Sequence, residues 1–350
     1  MIEYRLATRE DNQKLLDLTS NSGMAGNMAL RIDRFPNFFA LNKLRGKTYV
    51  YVAIEGSTIV GSICVSDQEV YINGNQTPLF YISDFKVAPS HRNMGIGLQL
   101  TNEVVKYLES KDADFAFLNV SKGNKRPFVF FSDRKNYPDF ENIGIFNIYQ
   151  FIGSNKKQVH SKYQINQAIA SSEILQFLNN YYSKHELASV IDNNKIEKTQ
   201  LYEVREGDQL ISVMCLIDTM DLKQNVVIKM QWHLKFALSV LNSARTFFRL
   251  SKLPLEGEPI KMLYIKYFAV KSKDPKLINE LISLARRITF QKGYAFVSLS
   301  LHEKDGLNQM LPKGIRFTFQ SVGMLVSMKD SKMKMKGIKE GIPYKDYSIV

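Results

Sequence analysis

Apolar positions alternate in short runs in both halves of the chain, and helical stripes separate these runs. This is the pattern of a layered α/β protein. Ile2 to Ala7 reads as a strand, and Arg9 to Leu18 as a helix through Leu15, Leu16 and Leu18. Met24 to Leu44 is mixed and predicts short helices. Thr48 to Ile54 and Thr58 to Ser66 are β-rich runs around Glu55-Gly56-Ser57, a hairpin signal. Asn73-Gly74-Asn75 marks another turn, and Leu79 to Val87 is a further strand. Ile96, Leu100, Val104, Tyr107 and Leu108 then recur on one helical stripe, and Phe115 to Val120 follows as an apolar strand. Strand, glycine-containing loop, helix and strand in this order predict a crossover between parallel strands.

The second half repeats the first weakly. Glu55-Gly56-Ser57-Thr58-Ile59-Val60 lines up with Glu206-Gly207-Asp208-Gln209-Leu210-Ile211, which sets Cys64 against Cys215 and Asp67 against Asp218. Leu79 to Val87 has a counterpart in Met262 to Val270, and Asp114-Phe115-Ala116-Phe117 in Tyr294-Ala295-Phe296-Val297. Three blocks in one order predict a tandem repeat, with the largest insertion at residues 219 to 259. The join falls near the linker-like Gly153-Ser154-Asn155-Lys156-Lys157, giving domains 1–155 and 156–350.

Composition adds boundaries. At 350 residues with 45% hydrophobic and 23% charged positions, the chain is an ordinary two-domain globular protein. Two cysteines make neither a disulfide framework nor a thiolate metal site, and five scattered histidines lack ligand spacing, so no metal is expected. The start has no apolar signal core, and no run approaches a membrane span, so a cytoplasmic protein without membrane insertion is expected. The net charge of +13 favours anionic partners such as a phosphorylated cofactor. Nucleic acid is disfavoured but stays open, as does a homodimer. The lysines of the tail, Lys329, Lys332, Lys334, Lys336 and Lys339, read as a solvated segment.

The candidate chemistry lies in Val87-Ala88-Pro89-Ser90-His91-Arg92-Asn93-Met94-Gly95-Ile96-Gly97. A strand ends at Pro89 and a helix begins near Gly97, so free amides meet a helix dipole, a ready anion site. Gly95 and Gly97 allow close approach of a phosphate, and Arg92 adds charge-assisted bonds. The pattern Val-x-Pro-x-x-Arg-x-x-Gly-x-Gly resembles the signature of the GNAT superfamily of acyl-CoA-dependent N-acyltransferases, and the order of elements resembles it over roughly residues 1 to 150. The resemblance implies an α/β fold of two tandem GNAT-like domains, each a mixed, mostly antiparallel sheet with helices on both faces. It implies acetyl-CoA as co-substrate. Arg92, Asn93, Met94, Gly95, Ile96 and Gly97 would bind its pyrophosphate, Phe85 and Val87 would pair with the pantetheine, and Asn124 would contact the cofactor.

The catalytic pair departs from the family. The position of the usual tyrosine acid is Phe131, which leaves Ser132 as a weak donor, and Asn136 stands for the helix-ending glycine. The usual glutamate position is Tyr81, and Asp84 on the same strand is the better candidate for a base or amine-binding carboxylate. Asp67, Glu69, His91 and the carboxylate of the segment Tyr347 to Val350 are weaker candidates. Met24 to Phe39 is expected to shape specificity. In the second half, Lys271-Ser272-Lys273-Asp274-Pro275-Lys276 has lost the glycines, so that domain is expected to be degenerate. The expected reaction is acetyl transfer to a primary amine of a small molecule or peptide. The alternative is a non-catalytic acyl-CoA-binding or regulatory module.

Overall fold

The computed structural model describes residues 1–21, 28–124, 138–156, 162–272, 274–328 and 332–350. The first half begins β1 (Ile2–Leu6), α1 (Asn12–Ser20), β2 (Met28–Asp33) and α2 (Asn42–Arg45). It continues β3 (Lys47–Glu55), β4 (Thr58–Ile72), β5 (Asn75–Val87), α3 (Ile96–Ser110), β6 (Phe115–Ser121) and β7 (Asp139–Ile152). The second half opens with β8 (Ile165–Ala168), α4 (Ser172–Tyr182), α5 (Asn193–Ile196), β9 (Thr199–Glu206) and β10 (Gln209–Asp218). Next come β11 (Gln224–Met230), α6 (Trp232–Phe248), β12 (Met262–Val270) and α7 (Pro275–Gln291). The chain closes with β13 (Phe296–His302), α8 (Leu307–Met310), β14 (Arg316–Ser327) and α9 (Lys332–Glu340).

Twelve strands form one sheet in the order β1-β3-β4-β5-β6-β14-β7-β13-β12-β10-β9-β8. Read from either end, the order passes equivalent strands: an edge strand, the glycine-turn hairpin, the parallel pair, and then an exchanged strand. The parallel pairs are β5 with β6 and β12 with β13. Instead of two separate sheets, the halves share one, because β14 lies between β6 and β7 and pairs with both. The hairpins and the helix after the glycine loop sit where the apolar pattern puts them. Between Met24 and Leu44, however, the chain forms the strand β2 as well as the short helix α2. β2 pairs antiparallel with β11, which comes from the insertion at 219 to 259, so segments from the two halves make a small second sheet.

Helices cover both faces. Ile96, Leu100, Val104 and Leu108 of α3 pack on Val60, Ile63, Val65, Phe80, Ala116 and Leu118. Leu15, Leu16 and Leu18 of α1 pack on the opposite face against Val50, Val52 and Cys64. In the second half α7 and α4 repeat this division, with Leu277 and Leu281 on Met214 and Val297, and Phe177 and Leu178 on Val213 and Cys215. At the centre, Tyr81, Phe117, Phe146 and Leu325 bury one face under Ile338 of α9. Residues 342–350 cross that same face.

Candidate active site

The loop ahead of α3 is built for backbone exposure. Asn93 and Gly95 both take the left-handed conformation, with φ of 64° and 77°. Gly95 is the N-cap of a fifteen-residue helix, and no side chain caps the helix amides. A Cβ on Gly95 would meet no atom within 4 Å, so the space over these amides is open. Arg92, Asn93 and Met94 are exposed beside it, whereas Ile96 is buried under the sheet as a core residue. Successive amides in this conformation form an anion-binding concavity, reinforced by the helix dipole.

Beside the loop, β5 and β6 separate. Their parallel ladder holds only Phe80 with Ala116 and Tyr81 with Phe117. Beyond Tyr81 the edge of β5 toward β6 leaves the ladder. On its other edge β5 carries a bulge, because Ser62 pairs with Lys86 but Cys64 with Ser83. Asp84 fills the bulge at φ 51°, and the Ser62 hydroxyl donates to its carbonyl at 3.1 Å. The bulge lets Phe85 and Val87 pack with the α3 core while Asp84 turns to the other face.

On that other face lies a buried charged cluster. Arg34 Nη2 donates to Asp84 Oδ1 at 2.8 Å, and Arg45 Nη1 to Asp84 Oδ2 at 2.5 Å. Arg45 also donates to Ser83 Oγ at 2.9 Å and through Nε to the Ile349 carbonyl at 2.6 Å. Lys223 donates to the main-chain oxygen of Val350 at 2.5 Å. Lys345 sits 3.4 Å over the Tyr81 ring, and Lys266 is 3.9 Å from Asp346. Lys86, two residues beyond Asp84, makes no hydrogen bond or ion pair among the described residues, although it feels the fields of Asp84 and Arg34. Six basic side chains, Arg34, Arg45, Lys86, Lys223, Lys266 and Lys345, therefore gather around the carboxylates of Asp84 and Asp346. Among the described residues nine buried side-chain polar atoms lack a well-formed partner, and five of them are Nε and Nη1 of Arg34, Nδ2 of Asn42 and both amide atoms of Asn119, beside the Tyr81 hydroxyl. Asn119 shares a sheet face with Phe117 and Tyr81, and Arg34 is only 2% exposed. Buried polar atoms are normally satisfied, so this concentration marks a place for a polar, anionic guest.

The electrostatics follow from burial. Burial alone would raise the Asp84 carboxyl, but the guanidinium groups of Arg34 and Arg45 hold it well below the usual carboxylate range. Burial lowers the amines: Lys86 to about 8, Lys223 to about 7 and Lys345 to about 7. Burial raises the Tyr81 phenol, so it stays protonated.

These facts correct the expected catalytic roles. Asp84 is neither a solvated carboxylate nor a free proton acceptor, because guanidinium groups occupy both its oxygens. Tyr81 can donate a proton but cannot serve as a phenolate base. Ser132, Phe131 and Asn136 lie outside the described residues. Asn124 follows β6, with its amide donating to the Ser121 carbonyl at 3.0 Å. The Tyr107 hydroxyl donates to the Asp67 carboxylate, whose two oxygens lie at 2.8 and 2.9 Å, and His91 bonds Glu55 at 2.9 Å. Neither belongs to the cluster. Sequence reasoning missed Arg34, Arg45, Lys86, Lys223 and Lys345, which come from distant segments and share no motif.

The second half closes the corresponding position. α7 starts with Pro275, and the Asp274 carboxylate caps it by accepting from the Lys276 amide at 2.8 Å. That same carboxylate accepts from the Tyr163 hydroxyl at 2.7 Å.

Residues 3–124 match the family model described as an acetyltransferase (GNAT) domain. No curated protein matches in sequence. Among solved structures, a GCN5-related N-acetyltransferase from Anabaena variabilis is 11% identical with a TM-score of 0.53, covering 94% of this chain and 73% of that one. A probable N-acyltransferase from Enterococcus faecalis is 9% identical with a TM-score of 0.54, covering 94% and 73%. Saccharomyces cerevisiae N-myristoyltransferase with bound myristoyl-CoA is 11% identical with a TM-score of 0.60, covering 93% and 79%. At these identities the likeness is one of fold. The stretch that carries the open loop and the splayed strands, residues 3–124, is thus similar to a GNAT acetyltransferase domain, and the chain shares the fold of these N-acyltransferases.

Proposed function

We propose that the chain transfers an acetyl group from acetyl-CoA to a primary amine by direct attack in a ternary complex. The observation that carries this reading is the uncapped, open loop beside a β5 edge that β6 leaves after Tyr81. Arg92, Asn93, Met94, Gly95, Ile96 and Gly97 are the proposed pyrophosphate site, with Ile96 contributing only its amide. Phe85 and Val87 are proposed along the pantetheine, and Asn124 at the far side of the opening. The amine nitrogen attacks the thioester carbonyl carbon, the carbon–sulfur bond breaks, and the amine loses one proton. We assign that proton to neutral Lys86 and keep protonated Tyr81 as donor to the leaving thiolate. The cation excess around Asp84 suits an acceptor with an anionic group near its amine. In this reading residues 1–155 bind the co-substrate. Residues 156–350, with the helix start closed by Asp274, shape the acceptor side through Lys223, Lys266 and Lys345. Both cysteines are free and buried, which fits a reducing, cytoplasmic setting.

The test is thermal stability with acetyl-CoA, followed by an amine-dependent assay of thiol release. At 100 times its dissociation constant, the ligand adds about 2.7 kcal/mol of stability. Gly95→Glu fills the open space with an acidic side chain, and the ligand-induced rise in Tm should vanish while the fold persists. Absence of any rise with the native chain would sink the proposal. The locked Asp84 favours a second reading, a non-catalytic acyl-CoA-binding module. Tight binding without thiol release, over a panel of amino acids and their amides, would select it.

A further inference from the structure

We infer that α6 is an interfacial helix that docks the protein on an anionic membrane surface. The inference does not depend on the acyltransfer reading. Trp232, Phe236, Val240 and Phe247 are 81%, 68%, 51% and 85% exposed. At 100° per residue they fall within one arc of about 80° on the helix. The opposite side carries Leu234, Leu238 and Leu241, which pack on Val227, Met230, Leu253 and Ile260. So α6 already buries one apolar side, and a second apolar side faces solvent. Exposed aromatic stripes of this kind mark an interaction surface.

Charge selects the occupant. From Lys229 to Leu253 the sequence KMQWHLKFALSVLNSARTFFRLSKL holds no Asp or Glu and five cations. Lys235 and Lys252 are paired with Glu256 and Glu258. Lys229, Arg245 and Arg249 form no ion pair among the described residues. The whole chain carries a net charge of +13. Two copies meeting through this face would bring like charges together. An anionic lipid surface instead suits an aromatic stripe carried by a segment with an excess of cations, the composition of a helix lying in the headgroup plane. No described helix is long and apolar enough to cross a membrane, so α6 would lie on the bilayer rather than span it. The helix follows β11, whose first residues adjoin Lys223 and whose partner β2 leads into Arg34.

Trp232 is the only tryptophan of the chain, so its emission reports this surface directly. The full-length protein is titrated with vesicles of phosphatidylcholine alone and of phosphatidylcholine with 30% phosphatidylglycerol, at low and high salt. The expected result is a blue shift of the emission and co-sedimentation with the anionic vesicles, both weakened by salt. Phe236→Ser with Phe247→Ser should lower partitioning by at least about a hundredfold, since each buried phenyl ring contributes strongly to transfer. Thermal melting of this variant should match the native chain, because both rings are solvent-exposed. No shift with a folded native chain would overturn the inference. So would a blue shift that grows with protein concentration in the absence of vesicles, which would assign the face to a second copy. Equal partitioning of the double variant would overturn it as well.

Discussion

Asp84 shows how a single side chain can be misjudged from its position. Its place on β5 near the loop points to proton abstraction, but its surroundings make it the counter-ion of two buried guanidinium groups. Removing it strands both cations, and breaking a buried pair of this kind costs about 3–5 kcal/mol. Asp84→Ala should lower the urea-unfolding free energy by that order, and a loss under about 1 kcal/mol would refute the pairing. The pH dependence has a definite sign. The folded-state carboxyl titrates below its unfolded value, so the stabilisation is complete above the unfolded carboxylate range. It is lost only as pH falls toward the lower folded value. Stability of the native chain should therefore persist through mild acid, and Asp84→Ala should lack this component. Lys86 is the opposite case: burial pulls its amine down to about 8, and no partner holds it. If Lys86 takes the proton, kcat/KM should rise with pH and level off near that value. Lys86→Met should remove this limb and cost about 10²–10⁴ in rate, whereas a Lys86 that only fills space would leave the profile's shape unchanged.

The turn between α2 and β3 sets where Arg45 points. Gly46, directly after Arg45, adopts φ 113°, and a Cβ there would lie 2.2 Å from the Asp67 carbonyl oxygen. Gly46→Ala must therefore shift the start of the β3–β4 ladder, at an expected cost on the order of 3 kcal/mol. Gly56, at φ 58° in the hairpin turn, meets nothing within 4 Å, so Gly56→Ala should cost only about 1 kcal/mol. Comparable losses in denaturant melts of the two variants would contradict this account. The same contrast explains what the sequence makes legible. The hairpin at Gly56, the loop at Gly95 and the stripe on α3 are local: turn chemistry and 3.6-residue periodicity write them directly into the chain. Arg34, Arg45, Lys86, Lys223 and Lys345 carry no such mark, because lysine and arginine are ordinarily surface residues and their meeting is decided by topology. β2 and β11 escaped for a related reason. Their ladder joins the two halves, and the other partner of β11, the stretch around Pro259, is also distant in sequence, so neither strand has a nearby hairpin partner to announce it.

At the scale of the molecule, the shared sheet makes the halves interdependent. β14 comes from the end of the chain, yet it pairs along Phe115 to Ser121 on one side and along Asp139 to Phe151 on the other. A chain ending at residue 155 would keep β6 and β7 but lose the strand between them, exposing two long strand edges. Such edges recruit other chains and aggregate. The fragment 156–350 would in turn lose β7, which pairs with β13 from Phe146 to Ile152. A cut near residue 155 thus divides the chain without dividing the hydrogen-bonded structure. Two domains that fold alone would give two calorimetric transitions, or one whose van't Hoff enthalpy falls below the measured enthalpy. Interlocked halves should unfold together, with the two enthalpies equal. Fragment 1–155 expressed alone should be insoluble or lack a cooperative melt, and co-expression with 156–350 should restore both. A soluble fragment 1–155 with its own sharp transition would show that β14 is an accessory to a complete first domain, and the symmetric exchange of strands would then contribute little to stability.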